Sequence, residues 1–277
     1  MIELFNPLHM LTVALVMAPI ERLAPVRPHL GLARPRIALD LCYFFLNGAL
    51  ITLGLVAVLT IAHMAGLALT PDAWRAALAG LPLWAAVPLA IIISDLGFYA
   101  AHRTFHAVPA LWRFHAIHHS IEQMDWLAAH RVHPLDQIAT KGAALAPLFF
   151  FGFDPKAMAI AGAIYAWHAI FLHANIRITF GWLEHLIATP RFHHWHHANE
   201  DAAHDRNFAG QIALIDKLFG TMHLPAKGHP SRYGTDTPTD DDYVGQLAQP
   251  FRPLFAAIGA TFARDQGAGR TPPFQSP

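Results

Sequence analysis

The sequence predicts an all-α integral membrane protein, with about four or five membrane-embedded helices and its histidines gathered on one side. Three observations predict it. Hydrophobic residues make up 54 % of the 277 and charged residues only 14 %, where an ordinary soluble domain carries about 25 %. Long stretches of the chain hold one charge or none. Histidine is present 20 times, more often than Lys and Arg combined at 19. Acidic residues also number 19, so the formal charge is zero and no bulk field attracts nucleic acid. The single cysteine, Cys42, excludes an internal disulfide framework and a cysteine-based metal site.

The apolar stretches come in order. Leu4–Ile20 is uncharged, Ile37–Leu69 carries only Asp40, and Leu81–Ala101 carries only Asp95. Gly142–Phe153 and Ala157–Ile176 are uncharged and flank Asp154-Pro155-Lys156, which reads as a hairpin tip. A span needs about 20 apolar residues. The second and third stretches meet that, whereas the first and the last pair fit a tilted or partly inserted arrangement. With Glu3 in place of a basic region and no small-residue cleavage site, the N-terminus does not read as a signal peptide. Basic residues set orientation. The 21–36 connection carries Arg22, Arg27, Arg34 and Arg36, and the 70–80 connection only Arg75. The first is therefore expected to be cytoplasmic, and the third span returns to that side where the histidines begin.

Fifteen histidines fall between positions 102 and 204. Three runs dominate: His102-Arg-Thr-Phe-His106, His115-Ala-Ile-His118-His119, and His193-His194-Trp-His196-His197. Positions i, i+3 and i+4 share one helix face, so each run can aim two or three imidazoles at a common point. The runs supply eight ligands, and His133 and His173 make ten, which suits two metal ions with about five nitrogens each. His9, His29, His63, His185, His223 and His229 read as ordinary core or surface residues. His130, His168, His194 and His204 read as non-ligands. Eight buried imidazoles without partners would cost about 1–3 kcal/mol each, enough to erase a stability of about 5–15 kcal/mol.

Imidazole suits Fe, Zn, Cu and Ni. The His-Glu-x-x-His pattern of zinc proteases is absent, a structural zinc site closes at four ligands, and the Glu-x-x-His of soluble di-iron bundles is missing. An all-histidine site for two irons remains. Asp95, Tyr99, His102 and His106 follow one helix face, which makes Asp95, with Tyr99, either a partner for a ligand's outer N–H or a bundle contact. Asp136, Asn175, Asn207 and Asp216 are further candidates for holding ligand rings.

These features together resemble the fatty acid hydroxylase / sterol desaturase superfamily of integral membrane di-iron enzymes, over roughly residues 94–225. The resemblance is carried by Asp95-Leu-Gly-Phe-Tyr99-Ala-Ala-His102-Arg-Thr-Phe-His106 and Leu-Trp112-Arg-Phe-His115-Ala-Ile-His118-His119-Ser120. His133-Pro134-Leu-Asp136, His173-Ala-Asn175-Ile, Pro190-Arg-Phe-His193-His-Trp-His196-His197, Asp205-Arg-Asn207-Phe and Asp216-Lys-Leu-Phe-Gly-Thr221 complete it. The resemblance implies a helical body with a cytosolic cap, two Fe ions, and O2-dependent hydroxylation or desaturation of a C–H bond in a membrane lipid such as a sterol, fatty acyl or alkylglycerol lipid. It implies His102, His106, His115, His118, His119, His173, His193, His196 and His197 as ligands, with the tenth open between His133 and His168. Residues 1–93 then form N-terminal membrane helices, and 226–277 a loop, an interfacial helix near 250–265 and a tail.

No dinucleotide fingerprint, phosphate loop or haem-binding domain appears in the sequence. Electrons are accordingly expected from an external donor, such as a cytochrome b5, ferredoxin or flavoprotein reductase. Two other classes compete: a histidine-rich metal transport or storage protein, and a di-haem electron-transfer protein. Nearly histidine-free spans disfavour the first, and adjacent histidine pairs fit axial haem ligation poorly.

Overall fold

The computed structural model describes residues 7–31, 34–254 and 256. Among them it is all-helical and contains no strand. The long elements are α1 (Pro7–Leu23), α2 (Ile37–Leu69), α4 (Leu83–Ala107), α6 (Pro134–Phe151) and α7 (Pro155–His173). Shorter helices join them: α3 (Asp72–Ala79), α5 (Pro109–His119), α8 (Pro190–His196), α9 (Ala213–Leu218) and α10 (Tyr243–Ala248).

Two of these, α2 and α4, are long and apolar enough to cross a membrane. Only 33 % and 28 % of their most apolar windows are buried, so their outward faces are greasy: Leu50, Leu53 and Val56 are exposed on α2, as is Ile92 on α4. A soluble core helix would be covered instead. Of the five apolar stretches, α2 has the bounds its sequence gave it. By contrast, α6 starts eight residues before Gly142, because its first two turns are polar and reach toward the histidines. The tip between α6 and α7 forms as expected. Gly152 adopts φ +73°, Asp154 accepts the N–H groups of Lys156 and Ala157, and Pro155 begins α7.

The four longest helices form a layer in the order α2, α6, α4, α7. Helices α2 and α6 run parallel, with Gly54 beside Ile138 and Gly66 beside Phe150. Helix α4 runs against α6, so close that a Cβ at Gly97 would lie 2.3 Å from the Ala143 carbonyl oxygen. Small residues at such crossings let apolar helices pack backbone to backbone. This arrangement brings the C-terminal ends of α4 and α7 and the N-terminal ends of α2 and α6 to one end of the bundle.

Helix α1 packs at that end, where Val13 and Met17 meet Phe44, Trp126, Ile170 and Ile176. Beneath the surface there, Asp40 of α2 accepts from Arg34 and Arg131 at 2.6 Å each, and Arg34 also pairs with Asp125. Asp40, Arg34 and Arg131 are buried; a network of this kind holds only while every charge keeps its partner. The chain from 226 to 242 is loop, as expected, and is followed by α10. Most of the expected interfacial helix near 250–265 and the tail beyond it lie outside the described residues.

Candidate metal centre

Helices α4, α5, α7 and α8 converge on nine histidines, which form two groups. In the first, His102, His106, His115, His119 and His196 bring one ring nitrogen each within 4.8 Å of one another. In the second, His118, His173, His193 and His197 do the same. The groups are adjacent, since His119 of one stacks on His197 of the other at 4.6 Å between ring centres.

Each His-x-x-His-His run is divided. His115 and His119, four apart, serve the first group, while His118 turns into the second. In the third run His193 and His197 serve the second group and His196 the first. Positions i+3 and i+4 are consecutive and so point about 100° apart on a helix. A run whose rings were all expected to meet at one point therefore addresses two.

The Nε2 atoms face inward. His102 and His115 bring theirs to 2.9 Å, His119 and His196 to 3.0 Å. His173 lies 3.2 Å from His118 and 3.1 Å from His193, which is 3.1 Å from His197. Ligands at right angles about a cation, with metal–nitrogen bonds of about 2.1 Å, stand about 3.0 Å apart; tetrahedral ligands stand about 3.4 Å apart. The spacing fits five- or six-coordinate ions. Buried His106 Nε2 has no hydrogen-bond partner among the described residues, as expected of a ligand atom.

Six of the outer nitrogens are held from behind, whereas the buried Nδ1 atoms of His193 and His197 have no partner among the described residues. His102 Nδ1 donates to the Phe208 carbonyl at 2.7 Å, His118 to that of Arg131 at 3.0 Å, and His196 to that of Arg206 at 2.8 Å. His173 donates to Ala169 at 2.8 Å, His115 to the Asp136 carboxylate at 2.7 Å, and His106 to Asp205 at 3.2 Å. Donation from Nδ1 fixes the tautomer that leaves Nε2 free to bind a metal. Burial pushes the imidazoles of His115, His118, His119, His193, His196 and His197 well below the usual histidine range, with neighbouring rings adding to the effect. They are neutral at pH 7 and suited to ligation.

His133 stands outside both groups. Its Nδ1 accepts the Leu135 N–H at the start of α6 and its Nε2 donates to the Leu247 carbonyl, so it serves as a helix cap. His168 is outside too, donating to the Ala188 carbonyl at 2.8 Å. His194 is bonded to the Tyr233 hydroxyl.

Of the supporting residues named from the sequence, Asp136 touches a ligand ring. Asp95 does not: its carboxylate accepts the backbone N–H groups of Gly210, Gln211 and Ile212. Tyr99 bonds to Thr221 rather than to Asp95. Asp216 accepts from the N–H groups of Phe208 and Ala209, and Asn207, at φ +60°, ties Phe192 to His223. Asn175 clasps the backbone of Arg27. Sequence reasoning passed over Arg131, Arg206, Phe208 and Asp205. The first three act through main-chain carbonyls, which any residue type supplies, and only Asp205, in the quoted Asp-Arg-Asn-Phe stretch, left a side-chain signal.

Residues 87–221 match the family model described as fatty acid hydroxylase. This region belongs to the fatty acid hydroxylase family. The chain is 32 % identical over 181 residues to the ornithine lipid hydroxylase of Rhizobium tropici, covering 65 % of this chain and 53 % of that protein. It is 32 % identical over 144 residues to the alkylglycerol monooxygenase of Homo sapiens, covering 52 % and 32 %, and 31 % identical over 165 residues to the fatty acid hydroxylase vlmA of Lecanicillium sp, covering 50 % and 42 %. The chain thus spans about half the length, or less, of these relatives. No solved structure matches.

Two predictions arise here. Because the buried rings stay neutral while unfolded histidines take up protons near pH 6.5, the unfolded state binds more protons below that value. Metal-free protein in detergent should melt at a constant temperature from pH 8 to about 7 and at progressively lower temperatures toward pH 5. A flat profile to pH 5 would show that the rings are not buried neutral. Replacing Asp136 by Asn should weaken metal retention about 10- to 100-fold in chelator competition; unchanged retention would show that His115 is oriented without it.

Proposed function

We propose that this protein is a membrane-bound oxygenase that hydroxylates a C–H bond of a membrane lipid, using two irons held by the nine histidines. The observation that carries the reading is the division of nine buried, neutral imidazoles into two adjacent groups with inward Nε2 atoms. Hydroxylation is preferred to desaturation because the relatives are named hydroxylases and monooxygenases. Their names point to lipids with a polar headgroup, of the ornithine lipid or alkylglycerol kind.

When bound, the two irons supply the reduction and activation of O2. The rest is the work of this chain. Carbonyls of Phe208, Arg131 and Arg206 and the carboxylate of Asp136 keep the ring protons on Nδ1. Phe208, buried against the rings of His102, His106 and His196, and Trp112, against those of His106 and His119, help close the centre against water. Outward apolar faces of α2 and α4 support a centre at the edge of a bilayer, which the lipid would reach laterally. We place that edge on the cytoplasmic side, from the arginines of the 21–36 connection. On this reading α6 and α7 form a membrane-embedded hairpin and α5, α8 and the loops around them a cap. Electrons come from an external donor such as a cytochrome b5, a ferredoxin or a flavoprotein reductase. A transport or storage protein would string its ligands along a path through the bundle, whereas here they close into two groups at one end.

The test is lipid mass spectrometry of a host expressing the chain under 18O-labelled dioxygen. Lipids carrying one labelled oxygen should appear, and should disappear in the His118→Ala and His197→Ala variants at equal protein level. An unaltered lipid profile, or oxygen drawn from water, would contradict the reading.

A further inference from the structure

Exposed apolar side chains also gather on segments outside the long helices. The segment following α7 presents Trp182, Leu183, Leu186 and Ile187, and the end of α9 presents Leu218 and Phe219. Trp182 and Leu218 are 71 % and 74 % exposed. The two pieces are joined, since the Leu214 N–H donates to the Leu186 carbonyl. Six large apolar side chains on one surface form a patch that water does not favour.

Hydrogen bonds give the depth of this patch against the spans. The Ala188 carbonyl meets His168, five residues before His173 on α7. The Gln211 carbonyl accepts the Ala188 N–H, and Asp95, which holds the backbone of 210–212, lies seven residues before His102 on α4. At about 1.5 Å per residue, these anchor points lie about 7 and 10 Å from the metal centre toward the far end of the bundle. Phe219 stacks on Tyr99, a further anchor below His102. Both segments therefore leave the metal end and descend beside α4 and α7. In hydrocarbon no water is present to satisfy a loop's backbone, so irregular chain survives there only with protein partners. The Asp95 carboxylate supplies them, taking three consecutive N–H groups. Arg103, Arg177 and Lys217, all exposed, fringe the patch as basic residues fringe an interface.

We propose that residues 178–187 and 218–219 form a lip that dips into the hydrocarbon of the leaflet on the metal side without crossing it, and that Asp95 is the positioning residue for the loop behind it. The partner is the acyl region of the bilayer. The inference rests on α2 and α4 being spans and is independent of the reaction.

The full chain with Cys42→Ser, carrying a nitroxide on a single cysteine at Trp182, Ile187 or Phe219, is placed in nanodiscs of phosphatidylcholine and phosphatidylglycerol. Collision with O2 and with a water-soluble nickel complex is compared with two references. Leu53→Cys reports the outward face of α2. Ala202→Cys reports the aqueous side, next to the Asp205 that bonds His106 at the end of α4. All three lip positions should match Leu53, with high O2 and low nickel access. Nickel access equal to that of Ala202 would overturn the lip, as would shielding from both reagents, which marks a protein partner. Lipid hydroxylation measured on the same samples separates the two readings. Turnover with a wet lip sinks the lip alone, and a dry lip without turnover sinks the reaction alone.

Discussion

Nine imidazoles packed out of reach of solvent must be given something to bind, and the rest of the molecule is arranged around that constraint. A buried ring nitrogen without a partner costs about 1–3 kcal/mol, and these nine sit within two small groups. Six of the outer nitrogens, those of His102, His106, His115, His118, His173 and His196, are satisfied by carbonyls and carboxylates, which leaves their inner nitrogens without protons and aimed into the two groups. On the proposed reading, two cations would resolve both the cost and the geometry. The layered helices contribute by bringing four helix ends to one place. The loops contribute backbone oxygens at set positions.

Those positions have distant supports. Arg131 offers its carbonyl to His118 while its guanidinium is locked to Asp40 on α2, which Arg34 also holds. The Phe208 carbonyl that receives His102 is fixed because Asp216 grips its N–H and Asp95 the residues just after it. Asp40 and Arg34 lie outside the 87–221 family region, so the N-terminal part of the chain holds one face of the second histidine group.

Much of this was legible in the sequence because metal ligation needs particular side chains at helical spacing. The three runs and His173 announce themselves, and so does Asp136, a carboxylate beside His133-Pro134 that turns out to serve His115 instead. The two long apolar helices are equally plain, since each apolar stretch carries a single acidic residue. The division of each His-x-x-His-His run between two groups follows from a 100° rotation, which a shared-face description smooths over. His133 misled because Pro134 after it marks a helix start, and a cap needs the same ring that a ligand does. Asp95 was recognised as an intramembrane carboxylate but not as the cap of a loop 115 residues later, since no local pattern reports a contact of that separation. Carbonyl donors to the rings carry no side-chain signature at all.

The central claim is that two irons sit in these two groups, each bound by imidazole. Iron quantification with Mössbauer and X-ray absorption spectroscopy on detergent-purified protein tests it most directly. The account predicts two irons per chain in a nitrogen-dominated shell, with one lost when His118 and His197 are both replaced by alanine and the other retained. A single metal per chain, a sulfur-containing shell, or full iron in that double variant would contradict it.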